Sequence, residues 1–224
     1  NNSGNYWLGT FGGGLNFLEM KIPSFSHIST DSFPASLNNP IVFNINRLNK
    51  DEFLIGTYGG GVNKLNMKIG KEQVFTTNNS NIVSNYITEI VIENDSTYWF
   101  GSDGKGISKY NPINNVFTNY DVSNTKKLAS NFVKCMMMDS YKNIWVGTLK
   151  GFCNIQNVGN VEGKFYSDSF LNVSTRALLE LEPGKILLGT HGEGVIIHDI
   201  QKNSFEKIAN PLVSNKQVTE LYLD

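Results

Sequence analysis

A short phrase recurs five times along the chain and constrains its fold more than any other feature. Each copy is an apolar run, often with a tryptophan, that ends in Gly followed by Thr or Ser. The five anchor glycines are Gly9, Gly56, Gly101, Gly147 and Gly189, which are 47, 45, 46 and 42 residues apart. A period of about 45 residues with short strands is typical of a β-propeller, in which each repeat forms one four-stranded blade. We therefore predict an all-β fold, a propeller of antiparallel blades with about five blade equivalents over residues 1–224.

Four strands can be assigned within each repeat from short apolar runs bounded by Gly, Asn, Asp or Ser. The phrase is the second strand, and a glycine-rich turn separates it from the third. The predicted innermost strands are Ile87 to Ile92, Val133 to Met138, Ala177 to Leu181 and Val218 to Leu223. The predicted third strands include Leu15 to Leu18, Val62 to Leu65, Ile107 to Tyr110 and Val195 to His198. One phenylalanine marks each fourth strand, namely Phe25, Phe75, Phe117, Phe165 and Phe205.

The chain opens in a second strand and closes in a first strand, which leaves two arrangements open. In one, Val218 to Leu223 completes the blade that begins at Tyr6, and the ring closes with five blades. In the other, the chain is an arc of a larger, seven-bladed propeller. In either case blades cover each other's faces. We expect Trp7, Trp99 and Trp145 to fill the gaps between blades.

Composition excludes several classes of function. The net charge of −1 and the absence of clustered Lys and Arg argue against a nucleic-acid-binding protein. No run of about 18 apolar residues is present, so we expect no direct membrane insertion. Cys135 and Cys153 are predicted to be buried packing thiols in the first and third strands of one blade. The chain begins at Asn1 rather than Met, which indicates an excised or processed piece.

Candidate ligand-binding residues lie at the variable positions of the turn between the second and third strands. A rigid frame that presents aromatic rings beside charged groups suits sugar binding, because rings stack on C–H-rich faces and charged groups bind hydroxyls. These candidates are Phe11, Tyr58, Asp103, Lys105, Lys150, His191 and Glu193. Arg176 is added because we align it with Ile87, Val133 and Val218, so that it requires an acidic partner or a wet channel. The alternative is that these loop residues are simply solvated.

No enzymatic motif competes with this interpretation. The three histidines have no metal-ligand spacing, no carboxylate pair can be placed across a cleft, and no cofactor-binding motif is present. The triple-glycine runs are interpreted as turns rather than phosphate-binding loops, because no helix follows them. We therefore predict no catalytic residue, metal or cofactor in this chain. A propeller lyase or hydrolase is the least favoured alternative.

The repeat resembles a known family. Asn143-Ile144-Trp145-Val146-Gly147-Thr148 and the run Gly59 to Asn66 follow the pattern of the two-component regulator propeller repeat. Ser84-Asn85, Ser130-Asn131 and Ser214-Asn215, each ahead of an innermost strand, also fit it. The fourth copy departs from the pattern, because its turn is one residue shorter and Phe152-Cys153 replaces the usual Leu/Val-Asn.

This resemblance implies a function that composition and spacing alone do not. Such repeats occur in the periplasmic sensor region of Bacteroides-type hybrid two-component histidine kinases, which respond to oligosaccharides. The resemblance thus implies a non-catalytic sensory segment in the periplasm, with an oligosaccharide ligand and with propeller and immunoglobulin-like domains of the same chain as neighbours. The alternative is a structural scaffold for domain docking or for a homodimer.

Overall fold

The structure is a computed structural model, and it describes residues 6–19, 24–31, 36–125, 128–155, 164–166, 172–210, 212, 214 and 216–222. Strands and turns make up these residues, and none of them is helical. The strands in chain order are β1 Tyr6–Thr10, β2 Gly14–Glu19, β3 Ser24–Ile28, β4 Val42–Arg47, β5 Glu52–Thr57, β6 Gly61–Asn66, β7 Gly70–Phe75, β8 Ile87–Asn94, β9 Thr97–Ser102, β10 Gly106–Asn111, β11 Val116–Tyr120, β12 Val133–Met138, β13 Ile144–Thr148, β14 Phe152–Ile155, β15 Lys164–Tyr166, β16 Thr175–Glu182, β17 Lys185–Thr190, β18 Val195–Asp199 and β19 Ser204–Lys207.

These strands form five sheets in which each strand pairs with the next one along the chain. The first sheet has three strands in the order β1-β2-β3, and the other four are β4-β5-β6-β7, β8-β9-β10-β11, β12-β13-β14-β15 and β16-β17-β18-β19. The prediction of an all-β chain of repeated antiparallel sheets is confirmed. The five marker phenylalanines all fall in the outermost strand of their sheet.

The chain divides into two compact units, which are described separately. One contains residues 1–100 and 110–118, and the other contains residues 101–109 and 119–224. In the first unit, one buried cluster joins the first two sheets through Leu15, Val42 and Phe53, with Trp7 packed against it. A cluster in the second unit joins the last two sheets through Trp145, Phe152 and Leu188. Apolar residues thus fill the spaces between successive sheets, as predicted.

The anchor glycines are required because a side chain of the next repeat packs directly against each of them. A Cβ atom built on Gly9 would lie 2.7 Å from Val42 Cγ1, and one on Gly101 would lie 2.7 Å from Val133 Cγ1. Gly56 meets the side chain of Ile87 and Gly189 meets that of Val218 in the same way. At Gly147 a Cβ would meet Cys135 Sγ of its own sheet first, and then the backbone oxygen of Thr175 at 2.8 Å and its Cγ2 at 3.0 Å. A larger residue would overpack this contact. The glycine therefore fixes how closely one sheet approaches the first strand of the next.

One strand prediction is wrong and one strand was missed. Residues 218–222 form no strand, although Val218 packs where the innermost strand was expected. A strand needs a pairing partner, and the first sheet has only three strands in the described part of the chain. The choice between an arc and a closed ring stays a prediction. The missed strand, β4, contains Asn44, Asn46 and Arg47, so it lacks the apolar run of the other innermost strands.

The position of Arg176 was also mispredicted, by one residue. Thr175, not Arg176, pairs with the residue after its anchor glycine, as Val133 and Val42 do in their sheets. Thr175 is polar at a place that other repeats fill with an aliphatic residue, so the apolar pattern missed it. Directly after this residue, each of the three strands has a β-bulge, and the bulge changes the direction of the side chain of the extra residue. Arg176 is the bulged residue of its strand, and its counterparts are Phe43 and Lys134.

Candidate functional site

The Thr or Ser that follows each anchor glycine closes the turn between the second and third strands. Its hydroxyl donates a hydrogen bond across the turn to the carbonyl of the glycine that starts the third strand. The donors are Thr10, Thr57, Ser102, Thr148 and Thr190, at distances of 2.8, 2.9, 2.7, 3.0 and 2.8 Å. This bond explains why the phrase requires a hydroxyl at that position, and it makes the turn a constant frame.

The glycines of this turn bind the loop that enters the next sheet. The N–H groups of Gly59 and Gly61 both donate to the carbonyl of Asn85 at 2.9 Å, and those of Gly104 and Gly106 donate to Asn131 at 3.1 and 2.9 Å. The asparagine side chains accept further hydrogen bonds from backbone N–H groups. For example, the Thr77 N–H donates to the side-chain oxygen of Asn85 at 2.8 Å. The pairs Ser84-Asn85 and Ser130-Asn131 are therefore structural, and Asn215 of the third pair lies outside the described residues. Because the turn amides are already bonded, a ligand must be recognised by the side chains around them.

An aromatic cluster occupies this position in the first unit. We define it as Phe43, Tyr58 and Tyr86, which lie in the β4 bulge, in the turn after β5 and ahead of β8. The ring of Tyr58 lies 5.0 Å from that of Phe43 and 4.9 Å from that of Tyr86, centroid to centroid. Phe43 is 45% exposed and Tyr86 is 49% exposed. The backbones of Tyr58 and Tyr86 form an isolated antiparallel bridge, which holds the two rings together.

The corresponding positions in the second unit carry a charged cluster, defined as Asp103, Phe132 and Lys134. The Lys134 ammonium lies 2.8 Å from the Asp103 carboxylate and 5.9 Å from the centre of the Phe132 ring. The two charged side chains are only 23% and 21% exposed, so the ion pair is partly shielded from water. The backbone of Asp103 bridges to Phe132, just as Tyr58 bridges to Tyr86. The same backbone arrangement thus presents an ion pair here, where the first unit has aromatic rings in tilted and edge-on contact.

Arg176 has no acidic partner in the described part of the chain, and the predicted wet channel stays a prediction. Its Nε atom is buried and has no hydrogen-bond partner in the described part of the chain. The hydroxyl of Ser174, two residues earlier, is also buried without a partner. No carboxylate among the described residues forms an ion pair with Arg176. A buried donor without a partner is costly, so this position has unused capacity to bind an acceptor.

The other predicted residues are dispersed. Glu193 forms an ion pair with Lys207 of the outermost strand at 2.7 Å, which commits its carboxylate to the protein. His191 is exposed, and its backbone bridges to Gln217. Phe11, Lys105 and Lys150 are exposed turn residues. The structure therefore groups Tyr58 and Asp103 into clusters with other side chains and leaves these five outside both clusters.

Sequence reasoning missed four members of the two clusters. Tyr86 and Phe132 each follow a Ser-Asn pair directly, and the Ser hydroxyl accepts the N–H of that aromatic residue at 3.0 and 3.2 Å. The residue after Ser-Asn was therefore an available signal in the sequence. Phe43 and Lys134 carried no such signal, because a β-bulge is defined by pairing and not by a local pattern.

The two cysteines are free and buried, as predicted. Burial raises the pKa of the Cys153 thiol to about 12, because the thiolate would lose its hydration. The Cys135 thiol donates to the carbonyl of Thr175 at 3.7 Å. Both thiols contribute to packing and neither belongs to the clusters described above.

Comparison with protein families identifies one segment directly. The family described as Two component regulator propeller matches residues 127–150. This segment contains Ser130-Asn131, strands β12 and β13, and Phe132 and Lys134 of the charged cluster. The resemblance that the repeats predicted is confirmed by this match.

Known proteins that are similar in sequence or structure include a bacterial histidine kinase and extracellular domains of two-component systems. Histidine kinase P4 of Formosa agariphila is 23% identical over 217 residues, which cover 90% of this chain and 15% of the kinase. An extracellular domain assigned to the hybrid two-component system BT3049 of B. thetaiotaomicron has a TM-score of 0.78 at 22% identity, over 96% of this chain and 28% of that one. The extracellular domain assigned to system BT4673 of B. thetaiotaomicron has a TM-score of 0.80 at 20% identity, and the match covers 98% of this chain and 30% of that one.

This chain therefore spans less than a third of the length of each of these relatives. The two B. thetaiotaomicron structures are extracellular domains. The described residues of this chain include no helix that could cross a membrane. The chain is a β-propeller segment that carries a two-component regulator propeller repeat at residues 127–150.

Proposed function

We propose that this chain is a non-catalytic ligand-recognition segment in the periplasmic sensor region of a hybrid two-component histidine kinase, and that it binds an oligosaccharide. The aromatic cluster carries the proposal. Tyr58 is positioned between two half-exposed rings by backbone hydrogen bonds, so the cluster is pre-organised. Aromatic faces bind the C–H-rich faces of sugar rings and lose little conformational entropy in doing so.

The charged cluster and Arg176 support the same function. Asp103 and Lys134 offer an acceptor and a donor within one ion pair, and hydroxyl groups bind both. Arg176 has a buried donor that nothing in the described structure uses. A sugar hydroxyl or carboxylate would satisfy that donor.

The similarity to extracellular sensor domains supports the location and the role. In such a protein, signalling output would come from domains outside this chain, including neighbouring propeller and immunoglobulin-like domains and a histidine kinase. Ligand binding to the propeller would be the input, and it requires no catalytic residue in this segment.

The test is isothermal titration calorimetry of this chain against neutral and uronic-acid-containing tetrasaccharides of plant and host glycans. We expect at least one of them to bind, and Tyr58→Ala to weaken that binding by about tenfold through the lost ring contact. Tyr141→Ala is the control, because Tyr141 is an exposed tyrosine outside the aromatic cluster, in the turn between β12 and β13. Equal affinities for the two variants, or no binding of any sugar, would overturn the proposal.

A second candidate, a scaffold for a homodimer, is favoured by one observation. Leu8 is 46% exposed, whereas the residues at the same place in the other repeats are at most 1% exposed; these are Ile55, Phe100, Val146 and Leu188. Tyr6, on the same face of the strand, is also exposed. An uncovered apolar face attracts an apolar partner, and here the partner would be a second copy of the chain. Light scattering should then show a dimer that Leu8→Lys converts to a monomer, and a wild-type monomer would exclude this candidate.

A further inference from the structure

A polar cleft lies in the first unit, at the outer edges of the second and third sheets. Its volume is about 770 Å³, within the range of pockets that bind small molecules. The cleft is lined by β7, by the turn that follows it and by the start of β11. It includes none of the predicted site residues and no member of the aromatic cluster.

The chemistry of the lining is uniform. Asn, Gln, Thr and Ser residues line the cleft together with Val74, Phe75 and Phe117, and no lining residue carries a charge. An ionic ligand would lose hydration in this cleft and would gain no ion pair. A neutral ligand with many hydroxyl groups would exchange its hydrogen bonds to water for bonds to the amides, each of which can donate and accept. The lining therefore matches a neutral, polyhydroxylated ligand.

Part of the lining is rigid scaffold. The side-chain oxygen of Asn79 accepts hydrogen bonds from the Thr76 N–H at 2.8 Å and from the Thr76 hydroxyl at 3.1 Å. The Asn79 amide nitrogen donates to the carbonyl of Val74 at 2.9 Å. This side chain is fully used in holding the turn after β7. It leaves its neighbour Asn78 exposed on the rim of the cleft, with no hydrogen bond to its side chain in the described part of the chain.

Asn115 is held in position on the opposite side. It lies in the turn before β11 with a φ of 57°, a conformation that asparagine tolerates better than most residues. The side-chain oxygen of Asn115 accepts a hydrogen bond from the Tyr110 hydroxyl at 3.0 Å. That bond fixes the amide plane, and the Asn115 amide nitrogen is left to donate to a ligand.

The equivalent turn of the next repeat is different. There Asp121 replaces Thr76, and its carboxylate accepts hydrogen bonds from Ser123 and Asn124. That turn therefore carries a charged side chain, whereas the turn from Thr76 to Asn81 beside the cleft carries none.

We infer that the cleft is a second carbohydrate subsite, specific for neutral oligosaccharides, in which Asn78 and Asn115 bind sugar hydroxyls. The inference rests on the proposed function only for the class of ligand, because its residues are separate from the aromatic cluster. It predicts that neutral and acidic sugars are discriminated at this cleft.

The experiment titrates the chain with cellotetraose, xylotetraose and maltotetraose, and with tetragalacturonate as the acidic comparator. Asn115→Asp keeps the acceptor for Tyr110 but removes the amide donor and adds a charge, so we expect it to weaken neutral-sugar binding by about tenfold. Asn78→Ala should have a similar effect. Asn203→Asp is the matched control, because Asn203 is also an asparagine with positive φ, in the turn before β19.

Side-chain amide resonances provide a second readout that does not depend on the variants. Saturation with the best neutral tetrasaccharide should shift the NMR signals of Asn78 and Asn115 and leave those of Asn203 unchanged. Unshifted Asn78 and Asn115 signals, unchanged affinity in both variants, larger shifts of these two signals with tetragalacturonate or with an uncharged tetrapeptide than with any neutral sugar, or binding of no neutral sugar would overturn the inference. If Tyr58→Ala abolishes sugar binding while Asn115→Asp does not, the proposed function stands and the cleft inference fails. The reverse result would reject the aromatic cluster and keep the cleft.

Discussion

The ammonium group of Lys134 lies 2.8 Å from the Asp103 carboxylate, and this contact joins the innermost strand of one sheet to the turn after β9. Both side chains are about four-fifths buried, so the attraction is less screened than at a fully exposed site. The pair occupies the same place in the repeat as Phe43 and Tyr58. One backbone arrangement therefore carries different side-chain chemistry in different repeats.

Removing one partner of this ion pair should destabilise the fold. Asp103→Asn leaves the Lys134 charge partly buried without its counter-charge, and we expect a loss of about 1 to 2 kcal/mol in the free energy of unfolding. Urea denaturation measures it. Glu182→Gln is the control, since Glu182 and Lys185 form a more exposed pair at 2.6 Å and should change stability by less than about 0.5 kcal/mol. Equal effects of the two substitutions would contradict the shielding described here.

The contact between Gly101 and Val133 should be sensitive to a single methyl group. Gly101→Ala would place its Cβ about 2.7 Å from Val133 Cγ1, so we expect a destabilisation of about 1 to 3 kcal/mol by overpacking. The same Cβ would lie 2.8 Å from Met136 Sδ, which is part of a flexible side chain. The double substitution Gly101→Ala with Val133→Ala removes the clash with Val133 and should cost less than the sum of the two single changes. Thermal denaturation of the four proteins measures this coupling, and strict additivity would argue against it.

The indole hydrogen bond of Trp145 should contribute to stability beyond the packing of its ring. Its Nε1 donates to the buried Asp139 carboxylate at 2.8 Å, and Asn143 donates to the same carboxylate. Trp145→Phe removes the indole donor, and we expect a loss of about 1 to 3 kcal/mol. Trp7→Phe changes the same position of the first repeat, where the ring is less buried and makes no hydrogen bond in the described structure, and should cost less. A larger loss at Trp7 would refute this ranking.

The buried Cys153 thiol should make the fold labile at high pH. Its pKa is about 12 in the folded chain and close to 9 when exposed, so the unfolded state releases this proton first as the pH rises. Proton release from the unfolded state lowers the stability of the folded state above about pH 9. Cys153→Ala should remove part of this pH dependence between pH 9 and 12, as followed by urea denaturation. The native thiol should also react slowly with a disulfide reagent at pH 8, and fast labelling at that pH would contradict its burial.

Burial raises the pKa values of Tyr98, Tyr110, Tyr120 and Tyr166 as well. The sign of their contribution is the same as for Cys153, because each phenol keeps its proton longer in the folded state. The Cys153→Ala protein should therefore keep some loss of stability at high pH.

Local residue patterns were sufficient for most of the secondary structure. The phrase around Trp145 and Gly147 consists of β-branched and aromatic residues followed by a turn. Because the same residue types recur at the same places in each repeat, the phrase predicted the corresponding strand in every sheet. The prediction failed at residues 218–222, where an apolar run has no strand to pair with, and at β4, where Asn44 and Asn46 interrupt the apolar run. Strand formation depends on a neighbour, and a local pattern does not contain the neighbour.

The sequence by itself determined the all-β repeat, its period, the anchor glycines and the hydroxyl that closes each turn, because these depend on residues close together in the chain. Only the tertiary structure decided which side chains meet around the turns. Phe43, Tyr58 and Tyr86 come from a bulge, a turn and a loop of two different sheets, and the cleft between Asn78 and Asn115 is built in the same way. Such groups form when one sheet packs on the next, and that packing is set by contacts between repeats rather than within them.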